Sequence, residues 1–376
     1  MHEAVRARRR AGRLVRFLAF LLAGPPALCL SSGTDGPYFY HSLTFGSESL
    51  YNPVFVVLNG GYSILQAGNR DRDPFSVDYR TGWKNVWRNV SDPIGSIRTF
   101  GWRKFLTTEV IPMSLAPKSA QYVPNYQSHL IGSGMTFRQL SEWYSARGFS
   151  HSRIWSVATC YAYHFLNEIV ENDAYEGVNV DPIADLWIFD PLGMLLFSSD
   201  RVGRFFGETL HMRDWSTPPA FDPFTGTLEN NADQYMVKWT LPRSERWSLF
   251  YHFGLNGLLG LSLGRPDGPS WSVGAGMMSR QQKVVRDNGQ GRILTVDLIW
   301  NAGVFYDRNG SLMASLLFSG SRAYKAKLNL FPGVVRFNGV SPWLFCGLGQ
   351  ENEVIAGGGV RIFPLGLSVR STGYKD

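Results

Sequence analysis

The sequence predicts an α+β protein, with a helical N-terminal region followed by an antiparallel transmembrane-type β-barrel of about 8–10 strands. Three observations predict it. The last 145 residues, Ala232 to Asp376, alternate apolar and polar side chains in short runs broken by Gly-rich or polar turns. The first 32 residues have the build of a secretory leader. Between the two lie segments with apolar residues at three- and four-residue spacing.

The leader comes first. Arg6, Arg8, Arg9, Arg10, Arg13 and Arg16 form a basic stretch, an apolar run from Phe17 to Leu30 follows, and Ala27-Leu28-Cys29 offers a small-residue cleavage site. Pro25 and Pro26 break the run, and it is shorter than the roughly 20 apolar residues that a bilayer-spanning helix needs. Cys29 would serve a lipoprotein only behind a better motif than Pro-Ala-Leu. Residues 1–32 are therefore read as a signal peptide, 33–231 as a helical or irregular periplasmic or plug region, and 232–376 as the barrel.

Charge and cysteine content narrow the partners. The leader holds six of the 37 Lys and Arg residues and one of the 30 acids, leaving 31 against 29, a net +2. The basic balance thus belongs to the leader and gives no reason to expect nucleic acid. Only Cys160 and Cys346 remain, one in a helical segment and one in a strand, so no disulfide framework is indicated.

Residues 81–110 read as amphipathic helix, with Trp83, Trp87, Val90, Ile94 and Ile97 on one stripe and Lys84, Arg88, Arg98, Arg103 and Lys104 around it. A stripe of this kind packs on a neighbour or lies in a membrane interface, and helical stripes ordinarily face a core. After a Pro-containing connection over 112–126, helices are expected at 136–147 and 153–172. Gly148 would stop the first and Ser150 or Ser152 would cap the second. Asp181-Pro182 and Asp190-Pro191 each start a further helical segment, Asp as cap and Pro in the first turn. Residues 212–231, with three prolines, read as a linker.

Ten strand candidates follow, at 233–241, 247–255, 258–264, 270–279, 292–306, 311–320, 323–331, 341–349, 353–363 and 366–372. Turn signals such as Arg265-Pro-Asp-Gly268 and Asp307-Arg-Asn-Gly310 separate them. Trp239, Trp247, Trp271, Trp300, Tyr306, Trp343 and Phe363 sit near strand ends, where the aromatic girdles of a membrane barrel belong. Gly357-Gly-Gly359 lies inside a strand run and reads as a bend in the wall. The competing architecture is a soluble β-sandwich with the same alternation.

The densest ionisable set lies in the helical half. His164, Glu168 and Glu171 share one helix face at i, i+4 and i+7, and Asp181 and Asp185 are spaced i, i+4. Acids among apolar and aromatic neighbours are costly to bury unless paired or coordinated. Three readings compete. In one, Asp181 and Asp190 cap helices, Glu168 pairs with Arg153 or Arg201, and His164 is a packed imidazole. In another, His164, Glu168 and Asp185 hold a divalent ion, with Glu171 and Asp181 as further donors; mixed nitrogen and oxygen donors suit zinc or manganese. In the third, these same five residues supply an acid and a base for catalysis. His129 and His151 fall in loop-like contexts and could join a site, though lone histidines seldom do, and Glu142 reads as an exposed helical acid. There is no Gly-x-Ser-x-Gly elbow and no phosphate-binding loop.

The stretch from Tyr122-Val-Pro-Asn-Tyr126 through Glu142-Trp-Tyr144, Leu166-Asn-Glu-Ile-Val-Glu171 and Asp181-Pro-Ile-Ala-Asp-Leu186 to Phe189-Asp-Pro-Leu-Gly193 resembles an uncharacterised family of bacterial exported proteins. In that family a helical region with Glu and Asp motifs accompanies a predicted outer-membrane β-barrel. The resemblance covers about residues 120–206 and implies no established activity. The same segment is also similar, more distantly, to membrane hydrolase-like families with acid-rich helices. The expected location is the cell outer membrane, with outer-membrane lipid as partner and a small ligand or envelope protein as a candidate second one. Two function classes stand: a structural or ligand-binding outer-membrane protein, and an envelope hydrolase or lipid- or glycan-modifying enzyme built on His164, Glu168 and Asp185, with a divalent metal as candidate cofactor.

Overall fold

The computed structural model describes residues 36–67, 72–111, 125–287, 291–320, 324–349 and 352–371. The leader lies outside these residues. Helices fill the N-terminal part, and a thirteen-stranded, mostly antiparallel sheet follows.

Local chemistry sets the helix starts. Asn52 accepts from the Phe55 N–H to open α1 (Pro53–Tyr62), and Asp78 accepts from Arg80 and Thr81 to open α2 (Tyr79–Val90). Asp92 caps α3 (Pro93–Phe100), with Pro93 in its first turn. A short helix α4 (Trp102–Phe105) runs into a π-helical turn, Leu106–Val110. A second π segment, Asn125–Gly132, leads into α5 (Ser133–Ala146), and α6 (Ser152–Glu171) packs against both α5 and α1. Then α7 (Asp181–Ala184), a π turn (Asp185–Phe189) and α8 (Asp190–Phe197) follow without a break. None of the described helices is long and apolar enough to cross a membrane.

The hydrogen-bonded order of the sheet is β1-β4-β5-β6-β7-β8-β9-β10-β11-β12-β13-β2-β3. It has ends at β1 and β3, so a sheet is what the pairing establishes; the barrel of the sequence expectation is not. The run 212–231, read above as linker, instead supplies β1 (Arg213–Asp214), β2 (Ala220–Asp222) and β3 (Thr227–Glu229). Its prolines misled because they fall between these short strands, where no ladder N–H is needed. The pairs Arg213↔Met236, Thr217↔Ala232 and Ala220↔Glu229 share one register. So β1 and β2 are two stretches of one strand, and β3 continues into β4 (Gln234–Thr240) as its hairpin partner. The long hairpin of β7 (Pro269–Asp287) and β8 (Gly291–Arg308) forms the middle of the sheet. At the β8–β9 turn, Asn309 and Gly310 both have positive φ, 55° and 75°, as a two-residue hairpin turn requires.

One face of the sheet packs on the helices and the other is exposed, and apolar side chains lie on both. On β6 (Asn256–Gly264), Leu259, Leu261 and Leu263 are exposed while Ser262 is buried. On β9 (Ser311–Ser319), Ser311, Ser315 and Ser319 are buried. On β10 (Ala326–Leu330), Leu328 points out and Asn329 points in. The inner face packs on the helical part, where Tyr51, Phe55 and Val56 join Phe250, Leu258, Phe305 and Trp343 in the main core. Trp343, expected in a girdle, is inside and 1% exposed. Its ring fills space that a Cβ on Gly359 or Gly366 would occupy, at 2.9 and 2.4 Å. Gly357-Gly-Gly359 therefore makes room for inward aromatics. On the far side the strands are short, with five residues in β10, seven in β11 (Pro342–Leu348) and β12 (Val354–Val360), and five in β13 (Gly366–Arg370).

Candidate metal centre

Six elements deliver ionisable groups to one place. His164 and Glu168 stand one turn apart on α6, Asp181 opens α7, and Asp185 and Asp190 begin the next two turns of the same rod. His129 comes from the π segment 125–132 and Glu109 from the π turn 106–110. Asp185 heads a third π turn. π-helical turns are rare and concentrate at functional sites, because the looser hydrogen bonding persists only where the surroundings hold it. Three of them place a residue in this cluster.

Two groups of three donors result. His129, His164 and Asp190 present donor atoms all within 4.8 Å of one another, and so do Glu168, Asp181 and Asp185. His129 joins them, with Nε2 3.4 Å from Asp185 Oδ2 and Nδ1 3.9 Å from Asp190 Oδ1. His164 Nδ1 is hydrogen-bonded to Asp190 Oδ2, and the two imidazole centroids are 5.3 Å apart. Glu168, Asp185 and Asp190 are 2%, 3% and 0% exposed. Behind Glu168, Asn172 donates to it at 3.3 Å and accepts from Asn179 at 2.6 Å, while Asn89 accepts from the Asn179 backbone N–H. This asparagine chain fixes the Glu168 carboxylate from the rear.

The electrostatics are those of crowded, desolvated acids. Burial, and then the neighbouring carboxylates beginning with Asp181, push Glu168 and Asp185 well above the usual carboxylate range. Burial also raises Asp190, against the pull of His164. Glu109 is pushed up to about 7 by burial, opposed by its hydrogen bond from Thr108 and by Lys104. His129 is pushed down to about 3 by its enclosed setting and by the facing His164, although a fifth of its side chain still meets solvent. Among the described residues no Lys or Arg forms an ion pair with Glu168, Asp185 or Asp190, and Asp185 Oδ1, Asp190 Oδ1 and His129 Nδ1 have no hydrogen-bond partner.

Several expectations change. Glu168 does not pair with Arg153 or Arg201. Asp181 and Asp190 are not capping acids: neither helix start has a side-chain cap hydrogen bond, and the Asp190 side chain turns to His164. The expected ligand set His164, Glu168 and Asp185 is split, His164 going with His129 and Asp190, and the two acids with Asp181. Glu171 is buried and acts on Glu168 through its charge, but belongs to neither group. The sequence offered His129 only as a lone histidine that could join a site and gave no signal for Glu109, because π segments carry no clear periodicity and 35 and 55 residues separate the two from His164. Glu142, read as exposed, is buried; it accepts from the backbone N–H of Tyr38, Phe39 and Tyr40 and pairs with Arg138 at 3.0 Å.

Such a constellation can take up a cation or share protons among its acids. No known protein family, no curated protein and no solved structure matches the chain.

Proposed function

We propose that the chain is an integral outer-membrane β-barrel protein with a structural or ligand-binding role, its helical part closing the lumen as a plug or partner-binding element. The observation that carries this reading is the inversion of the sheet. Outward positions hold Leu259, Leu261, Leu263, Val273, Leu298 and Val369, all exposed, while Ser248, Ser270, Ser272, Asn301, Asn329, Lys238 and Asp307 are buried inside. Water would select the opposite arrangement; hydrocarbon selects this one.

Two features support it. Trp247, Leu263, Trp271 and Tyr306 are cross-strand neighbours in a single row, and Trp300 pairs with Met277 on a second row. From Leu298 to Tyr306 the outward row runs eight residues, about 27 Å along the strand, comparable with an apolar band of about 25 Å once tilt is allowed for. The shared register of 213–222 with 227–236 makes the two ends of the sheet order parts of one hairpin, with β13 along one edge and β5 (Trp247–Gly254) along the other. Closure through that hairpin would leave no edge in lipid. The test is semi-native electrophoresis of the protein folded in detergent. A folded barrel migrates faster before heating than after, whereas identical migration combined with solubility in plain buffer refutes the proposal.

The second reading, an envelope hydrolase or lipid- or glycan-modifying enzyme, rests on the donor groups around His164, which reach solvent at His129. Its test is turnover of phospholipid and of peptidoglycan fragments by the detergent-solubilised protein. Loss in Glu168→Gln supports it, and no turnover of either class by the unmodified protein sinks it.

A further inference from the structure

We propose that the junction of α6, α7 and the π turn Asp185–Phe189 is a binding site for one first-row divalent cation, Mn²⁺ or Zn²⁺, held by Glu168, Asp181 and Asp185. The imidazole of His129 stands beside it, and the His164–Asp190 pair lies behind that imidazole. The inference is independent of where the sheet resides.

The argument is one of crowded carboxylates in a dry place. Three carboxylates converge within 4.8 Å, and two of them are at most 3% exposed. Acids this deep persist when a cation, a proton or N–H donors offset them. Asn172 donates to one Glu168 oxygen, but Asp185 Oδ1 is buried with no partner. The fold supplies that oxygen with no donor of its own. A metal bonded at about 2.1 Å to each of three donors holds neighbouring donors about 3.0–3.6 Å apart, so a trio spread to the full 4.8 Å has to draw in by about 1 Å.

The neighbouring trio has the form of supporting shell. His129 turns Nε2 towards Asp185 and Nδ1 towards Asp190, so one carboxylate can orient the imidazole while the other nitrogen faces the cation position. Oxygen donors with an imidazole nearby suit manganese or zinc; thiolates, which would favour soft ions, are absent from both trios. Asp181 is partly exposed, which gives an entry path.

The experiment uses the full chain in detergent, stripped with chelator and then titrated with Mn²⁺ followed by electron paramagnetic resonance, and with Zn²⁺ against a chromophoric chelator. Saturable binding of one ion per chain is expected, at least tenfold weaker in Asp185→Asn and in Glu168→Gln and unchanged in Glu208→Gln, an exposed acid elsewhere. Asp181→Asn, at a partly exposed position, serves where the buried variants fail to fold, and it too must weaken binding tenfold. No saturable binding of either ion, binding of Ca²⁺ or Mg²⁺ alone, or equal affinity in Asp181→Asn and the unmodified chain would each overturn the proposal.

Discussion

Replacing Leu259 by Arg separates lipid from water as the medium around the sheet. Leu259 is 66% exposed on β6 and pairs with Tyr251 on one side and Ala275 on the other. Along β7, Ala275 lies four residues from Trp271 and two from Met277, the partner of Trp300, about 14 and 7 Å. The position is therefore inside the apolar band, away from either aromatic row. An Arg there in a bilayer costs about 2–4 kcal/mol, falling towards about 0–1 near the interfaces. On a water-exposed sheet the same change touches nothing and stays within about 0.5 kcal/mol. The assay is urea unfolding in phospholipid vesicles, read by tryptophan fluorescence and extrapolated to zero denaturant. Phe224→Arg, at an 83% exposed residue in the β2–β3 turn, is the internal control and is expected to be near neutral. Equal, small effects of both substitutions would refute the membrane assignment of this face.

Three further outcomes follow from named contacts. Lys238 is bonded to Asp307 and to Ser270 inside the sheet, so Lys238→Met should cost about 3–5 kcal/mol by leaving a buried acid without its counter-charge, and Lys238→Met/Asp307→Leu should recover most of it; a single-variant loss below about 1 kcal/mol would mean that water reaches the pair. Glu142→Ala removes the acceptor of three backbone N–H groups and a partner of Arg138 and should lower the melting temperature by several degrees, whereas an unchanged melt would contradict the buried network. His211 is pushed down to about 4 by burial and then by Arg213, so the folded state disfavours its proton. Its contribution to stability is complete above the unfolded value of about 6.5 and is lost as pH falls towards 4. His211→Asn, which tolerates the positive φ of 45°, should flatten the melting-temperature profile over that window, and an unaltered profile would count against the assignment.

The helices and most strands could be read from sequence because their signals are local. Asp307-Arg-Asn-Gly310 announces a hairpin turn, which occurs as expected, whereas the helical stretch read over 81–110 is divided by Asp92-Pro93 and Gly101 into separate helices. Local signals failed where tertiary contact decides. Asp190-Pro191 has the sequence of a capped start, yet the carboxylate goes to His164, 26 residues back. Glu142 sits on a helix with no sequence mark of burial, and the N–H groups that hold it come from residues 38–40. The linker-like 212–231 becomes strand because it zips onto 227–236 and β13, pairings that proline content conceals. Alternation showed that each strand has two faces, but not which residues turn inward: Trp343 has a girdle residue's identity and a core residue's place.

How the rest of the chain treats buried charge makes the acid cluster stand out. Arg72 and Glu229 meet at 2.6 Å, both nearly inaccessible. Arg138 bridges Glu142 and Asp200, Lys238 meets Asp307, and Glu48 accepts the backbone N–H groups of His41 and Leu43. Each of these acids has its opposite charge or its donors supplied by the fold, which is the ordinary condition for burying a carboxylate. Glu168, Asp185 and Asp190 have the Asn172 amide, the Ser133 hydroxyl, two imidazoles and one another, and among the described residues no Lys or Arg. Shared protons could offset such acids as well as a cation could, but protons would leave no reason for two imidazoles to converge on the carboxylates from separate helices, one of them held in a π segment. A metal position would account for the crowded acids, the converging imidazoles and the orphaned oxygens together.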